Sequence, residues 1–173
     1  MIEKKNYVFD LENTLIYTDS LNNDSYNYAL NLHELKSISD CKRINRDIVF
    51  NKYPKLNTLQ KKTIIELKQK YFLDNLSETK PNMSLIQVLT NQSIESCLLW
   101  TSSDKNKILA LLEYHNISNE FIKIFFSDKY EVAKDIEEIC RFFKCDFQRL
   151  VFYEDNNRII KELEELKLSV ISV

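Results

Sequence analysis

The sequence predicts an α/β fold, a doubly wound three-layer sandwich on a parallel sheet, with a helical segment inserted after the first strand. Three observations predict it. From residue 97 onward, short apolar runs alternate strictly with amphipathic helical stretches, the pattern of βα units joined by right-handed crossovers. The stretch YVFDLENTLIYT, residues 7–18, opens on a buried-strand run that stops abruptly at Asp10. Between these regions only helical periodicity is found, over a length that no simple crossover helix needs. The expected division is a core built from residues 1–16 and 82–173, with 17–81 as an inserted helical module.

Taken in order, Tyr7 to Phe9 form the first strand, and TDSLNND is a polar break rich in helix-capping residues. SYNYALNLHEL then spaces Tyr28, Leu32 and Leu35 at three and four residues. RINRDIVFNKY and TLQKKTIIELKQKYFLDNL repeat the pattern through Ile44, Ile48, Leu59, Ile64, Leu67 and Tyr71. Pro81 and Asn82 end the block, and MSLIQVLTNQ reads as the helix leading back to the core. CLLW, IKIFF, LVFY and LSVISV are the later strands, the last of them a candidate edge. DKNKILALLEYH, KDIEEICRFF and NRIIKELEELK are the helices between them.

Composition narrows the function classes. The 24 basic and 26 acidic residues leave a net charge of −2 and are spread along the chain, so no footprint for nucleic acid or an anionic membrane stands out. No run approaches the ~20 apolar residues of a membrane span, and the basic N-terminus has no apolar segment behind it, which predicts a cytoplasmic protein. Cys41, Cys97, Cys140 and Cys145 are scattered and lack nearby histidines, so reduced thiols are expected in place of a zinc site or disulfides. His33 and His115 fall in helical segments and receive no role. Glycine is absent altogether. Left-handed backbone is therefore expected at asparagines standing at breaks, namely Asn13, Asn22, Asn23, Asn82, Asn116, Asn156 and Asn157.

Each core strand hands over to polar residues at its carboxyl end: Asp10, Thr101 with Ser102, Ser127 with Asp128, and Glu154 with Asp155. In a parallel sheet these ends share one edge, where open α/β folds bind ligands. One nucleophilic carboxylate, one hydroxyl, one lysine and further carboxylates suit phosphate and a hard cation. Mg²⁺ takes one or two protein carboxylates, which Asp10 and Asp155 can supply. Thr101 and Lys134 would neutralise and orient phosphoryl oxygens.

In this order and at these distances the stretches resemble the haloacid dehalogenase (HAD) superfamily over essentially the whole chain. VFDLENTL resembles the first motif, an apolar strand followed by Asp-x-Asp-Gly-Thr. LLWTSSDKNKILALLE resembles the second, FFSDKYEVAK the lysine-bearing third, and LVFYEDNNRIIKELEELKLSVISV the fourth with its Glu-Asp pair. KPNMSLIQVL is similar to the return from cap to core. The resemblance implies a Rossmann-like sheet of five core strands in the order 3-2-1-4-5, a small helical C1-type cap, Mg²⁺ as cofactor, and hydrolysis of a small phosphorylated metabolite. It implies Asp10 as nucleophile, Glu12 as general acid/base, and Thr101, Ser102 and Lys134 as phosphate-binding groups. Lys129, in the same loop as Lys134, is the alternative lysine. The metal site would comprise Asp10, Asp155 and Glu12, the last through its backbone carbonyl.

The chain departs from the family at Glu12, where Asp is usual, at Asn13, where Gly is usual, and before Lys134, where a Pro-containing lead-in is missing. Glu12 motivates a second reading, a catalytically impaired HAD-like protein that binds a phosphorylated ligand or a protein partner. A phosphomutase or a dehalogenase is possible on the same scaffold, although dehalogenation needs no metal-bound phosphate. Each residue also has an ordinary structural role open to it: Asp10 in a turn, Thr101 and Ser102 at a helix N-terminus, Lys134 on a solvated helix, Glu154 and Asp155 as caps. A receiver domain of the response-regulator type uses similar groups but places its acid pair on the first strand. In the insert, Lys42, Arg43 and Arg46 form a basic cluster that is either a substrate contact or a solvated face.

Overall fold

The structure, a computed structural model, describes residues 5–173. Five parallel strands form the central sheet: β1 (Asn6–Phe9), β4 (Cys97–Thr101), β5 (Lys123–Phe126), β6 (Leu150–Glu154) and β7 (Ser169–Ser172). They are ordered β5-β4-β1-β6-β7, which, with the core strands numbered among themselves, is 3-2-1-4-5. The register pairs Phe9 with Leu99 on one side and with Tyr153 on the other. The three central strands therefore end at one level, and Asp10, Thr101 and Glu154 emerge along a single edge.

Strand alternation sorts the core into two faces. Val8, Leu98, Trp100, Leu150 and Phe152 point to one face, where Val132, Ile136 and Ile139 of α6 (Val132–Phe143) and Ile159 and Leu163 of α7 (Asn157–Glu165) cover them. Burying each such side chain contributes ~1.5–3 kcal/mol. Phe9 points to the opposite face, stacked on Tyr153 with ring centroids 4.7 Å apart and edge-on to Phe121 at 6.2 Å. Right-handed crossovers put α4 (Met83–Thr90) and α5 (Lys105–Tyr114) on that side. Both helices start on side-chain caps, Asn82 accepting from the Leu85 N–H and Asp104 from the N–H groups of Asn106 and Lys107.

The chain divides into two compact units, residues 1–16 with 81–173, and residues 17–80. It leaves the first through β2 (Ile16–Tyr17) and returns through β3 (Lys80–Pro81), which pair with each other. Two residues per strand are too few for periodicity to reveal, and neither element was expected.

The helical unit contains α1 (Asp19–Leu32), α2 (Arg46–Lys52) and α3 (Thr58–Asp74). Its core is Tyr26, Ala29, Leu30, Ile38, Ile44, Val49, Leu56 and Ile64. The expected face of α1 is corrected: Tyr28 and Leu32 are exposed, whereas Leu21, Asn22, Ser25, Tyr26, Ala29 and Leu30 are buried. The helix starts six residues earlier than its apolar spacing indicates, and its inner face contains polar residues. Asn22 Nδ2 donates to the Ile44 carbonyl at 2.8 Å, and Ser25 Oγ to that of Leu21 at 2.5 Å. In α3, Leu59 is likewise exposed, and buried Lys68 stands with its ammonium over the rings of Tyr26 and Phe72. Arg43 pairs with Asp19 within the same unit, so the basic cluster is partly consumed internally.

Candidate active site

The first strand ends where Asp10 donates its backbone N–H to the Tyr153 carbonyl at 2.9 Å, extending the ladder by one residue. The chain then closes a tight loop. Leu15 and Ile16 both donate to the Leu11 carbonyl at 2.9 Å, and the Asn13 N–H reaches that of Ile16 at 2.7 Å. Asn13 holds φ 63°, the left-handed conformation that the missing glycine would have taken. Leu11 and Thr14 are fully buried, and Asn82 braces the loop by donating to the carbonyls of Leu15 and Thr14 at 2.8 and 3.0 Å. Asp10 and Glu12 therefore stand on a rigid support.

Lys129 is the centre of the site. Its Nζ donates to Asp10 Oδ1 at 2.8 Å and to Glu154 Oε2 at 2.7 Å, and its side chain is 6% exposed. The ammonium also lies 4.5 Å from the centre of the Trp100 ring. Its backbone is fixed at φ 57°, with the N–H on Ser127 Oγ at 3.2 Å and the carbonyl held by Arg158 Nη2 at 2.9 Å. Ser127 in turn donates to buried Asp135, and Trp100 Nε1 donates to both of them.

Lys134 is not in this cluster. It lies in the first turn of α6, with a side chain 65% exposed and its Nζ on Glu131 at 3.2 Å. The expectation failed because α6 begins at Val132, two residues earlier than read, and the inward face of that helix is Val132, Asp135, Ile136 and Ile139. The left-handed turn at Lys129 brings the alternative lysine to Asp10.

Burial pushes the Asp10 carboxyl up from 3.8 to about 7; Lys129 opposes the rise, and Glu154 and Glu12 add to it. Lys129 responds in the complementary sense. Burial alone would lower its pKa, but the two carboxylates outweigh that and hold it above the usual lysine value.

Carboxylate oxygens of Asp10, Glu154 and Asp155 lie within 4.8 Å of one another. Mg²⁺ binds oxygens at ~2.0–2.1 Å, so donors across its octahedron stand roughly 4 Å apart, and the group fits such an ion after small side-chain adjustments. Thr14 Oγ1 donates to Asp155 Oδ1 at 3.4 Å, and Glu154 Oε1 accepts from the N–H groups of Asp155 and Asn156 at 3.2 and 3.0 Å. Among the described residues the carboxylate cluster adds Glu154 to the expected Asp10 and Asp155; Glu12 was expected to contribute only its backbone carbonyl, and its side chain is engaged by Ser103 and Lys107.

Thr101 is buried at the end of β4, its Oγ1 accepting from the Ser103 N–H at 3.3 Å, and Ser102 is exposed beside it. Four participants were missed: Ser103, Lys107, Glu154 as a lysine partner, and Trp100. Glu154 stood in the quoted fourth motif and the other three in the quoted second, LLWTSSDKNKILALLE, but nothing in their spacing says which way they point.

No protein-family model matches the sequence, and no curated protein does. Solved structures do. A haloacid dehalogenase-like hydrolase from Streptococcus pneumoniae superposes with a TM-score of 0.74 at 15% identity, over 99% of this chain and 85% of that one. A HAD-superfamily hydrolase of subfamily IA from Geobacter sulfurreducens superposes with a TM-score of 0.73 at 9% identity, over 98% and 86%. The fold is that of the haloacid dehalogenases. A further solved structure, of a predicted phosphoglycolate phosphatase from Haemophilus somnus, superposes with a TM-score of 0.84 at 16% identity over 99% and 86% of the two chains. No helix among the described residues is long and apolar enough to cross a membrane.

Proposed function

We propose that the chain is a Mg²⁺-dependent HAD phosphatase that hydrolyses a small phosphate monoester through an aspartyl phosphate. The observation that carries this reading is the Lys129 ammonium bridging Asp10 and Glu154 beside Asp155. A carboxylate that attacks phosphorus must be held and shielded from water, and this arrangement supplies both, with Lys129 opposing the repulsion from Glu154 and Glu12. Asp10 attacks the phosphorus, the P–O bond to the leaving group breaks, and Glu12, once protonated, delivers its proton to the departing oxygen. Glu12 then takes a proton from the water that hydrolyses the aspartyl phosphate. Lys129, Thr101 and Ser102 hold the phosphoryl oxygens. Mg²⁺, held by Asp10 and Asp155, would neutralise charge on those oxygens. Residues 17–80 act as the cap that selects substrate, and phosphoglycolate, suggested by the name of one similar structure, is the first small ester to try.

The test is hydrolysis of an aryl phosphate with Mg²⁺. Asp10→Asn abolishes it, Lys129→Met lowers kcat by about 10²-fold or more, and Lys134→Met leaves it unchanged. No turnover by the wild type with aryl phosphate or small phosphate esters, or equal losses at the two lysines, overturns the assignment. A second reading, a phosphate-ligand binder that does not turn over, is favoured by Glu12 standing where the fold family has Asp. Under it Glu12→Asp raises the rate strongly, whereas in the phosphatase the same change lowers it.

A further inference from the structure

A second buried ion pair adjoins the Lys129 bridge. The Glu12 carboxylate accepts from Lys107 Nζ through Oε1 and from Ser103 Oγ through Oε2, and both charged side chains are 9% exposed. Lys107 stands in the first turn of α5, three residues after the N-cap Asp104, whose carboxylate accepts its backbone N–H at 3.2 Å. A cation at that end of a helix opposes the helix dipole, and a buried ammonium loses its hydration as well. Two penalties at one residue require a compensating partner, and the Glu12 carboxylate reaches it.

Side-chain length decides that contact. An aspartate at position 12 would end about 1.5 Å nearer its own backbone, one C–C bond short of the present carboxylate. The longer acid also has one more rotatable bond to immobilise before it can act in a defined direction. Ser103 comes from the loop after β4 and Lys107 from the helix that follows it, so two independently anchored donors grip the two oxygens. We propose that Ser103 and Lys107 are positioning residues that hold the Glu12 carboxylate in its working orientation, making glutamate the acid this site is built for. The inference rests on the phosphatase reading of Glu12.

The experiment compares wild type, Lys107→Met, Glu12→Asp and the double variant in aryl phosphate hydrolysis with Mg²⁺, together with the thermal midpoint of each. In the native background Lys107→Met lowers kcat about tenfold or more with KM within about twofold, and Lys107→Arg recovers part of the loss. In the Glu12→Asp background, where the shorter acid no longer meets the lysine, Lys107→Met changes kcat less than about threefold. Equal losses in both backgrounds, or none in the native one, overturn the proposal. Should all four proteins, wild type included, be inactive, the phosphatase reading itself fails and the thermal midpoints decide the tether. A double variant less destabilised than the sum of the single variants supports it, and additive losses overturn it.

Discussion

Asp10 sits in a buried position where its proton affinity and its proposed role pull in opposite directions. Its carboxyl is raised to about 7 by burial, against the attraction of Lys129 and with Glu154 and Glu12 reinforcing the rise. A group whose folded pKa lies above its unfolded value of 3.8 stabilises the fold most below that value and loses the contribution as pH climbs through the folded pKa. The metal-free protein is therefore expected to lose stability between about pH 4 and 7, by an amount on the order of a few kcal/mol. Asp10→Asn removes that dependence, as denaturant unfolding at stepped pH would show. Mg²⁺ at the proposed site would compete with the same proton, so its apparent affinity is expected to rise with pH, up to about tenfold per unit, and to level off above about 7. A calorimetric affinity flat from pH 5 to 8 would contradict the shift. At this scale the sequence was a good guide to residue types and a poorer one to conformation. Asn13 and Asn116 do take the left-handed backbone expected of a chain without glycine, but Asn22 and Asn23 lie inside α1, and Asn82 and Asn156 cap helices. Glu34, Lys129, Lys144 and Lys167 are left-handed instead. A charged residue is driven into that region by what its neighbours require, as the short turn between β5 and α6 requires of Lys129, and local propensity has no record of it.

At the level of elements, the strands of the core were legible because burial on both faces demands continuous apolar runs, and β4 and β6 match the expected CLLW and LVFY to within one residue. The helices of residues 17–80 were legible in number but not in orientation. Periodicity assumes that the inner face is apolar, and α1 violates this with Asn22 and Ser25 while leaving Tyr28 and Leu32 outside. Tyr28 finds an aromatic partner there, its ring 4.5 Å from that of Tyr71. Energetics should follow the structure and not the hydropathy. Asn22→Ala strands the Ile44 carbonyl and is expected to lower stability by about 1–3 kcal/mol, whereas Leu32→Ala stays within about 0.5 kcal/mol of wild type. Chemical denaturation distinguishes the two, and a larger loss at Leu32 would restore the face predicted from spacing.

For the molecule as a whole, the site exists because a parallel sheet brings together groups separated by more than a hundred residues. Asp10, Thr101 and Glu154 were visible as strand ends, and the rule that such ends share an edge was sufficient to place them together. The lysine that joins them was assigned by resemblance to the third motif, which leaves its register open between Lys129 and Lys134, and position along a loop does not measure distance in space. That joint has a built-in reporter. Trp100 is the single tryptophan of the chain, buried on β4 with the Lys129 ammonium 4.5 Å from its ring centre and its indole N–H on Ser127 and Asp135. A phosphoryl group on Asp10 presents new oxygens to Lys129 and so draws the ammonium from its present partners, altering the charge over the indole face. Beryllofluoride with Mg²⁺, a mimic of an aspartyl phosphate, is thus expected to change the tryptophan emission of the wild type and of Lys134→Met, but not of Lys129→Met or Asp10→Asn. A response that survives loss of Lys129 would mean that the indole senses some other movement, and that the lysine does not meet the transferred group.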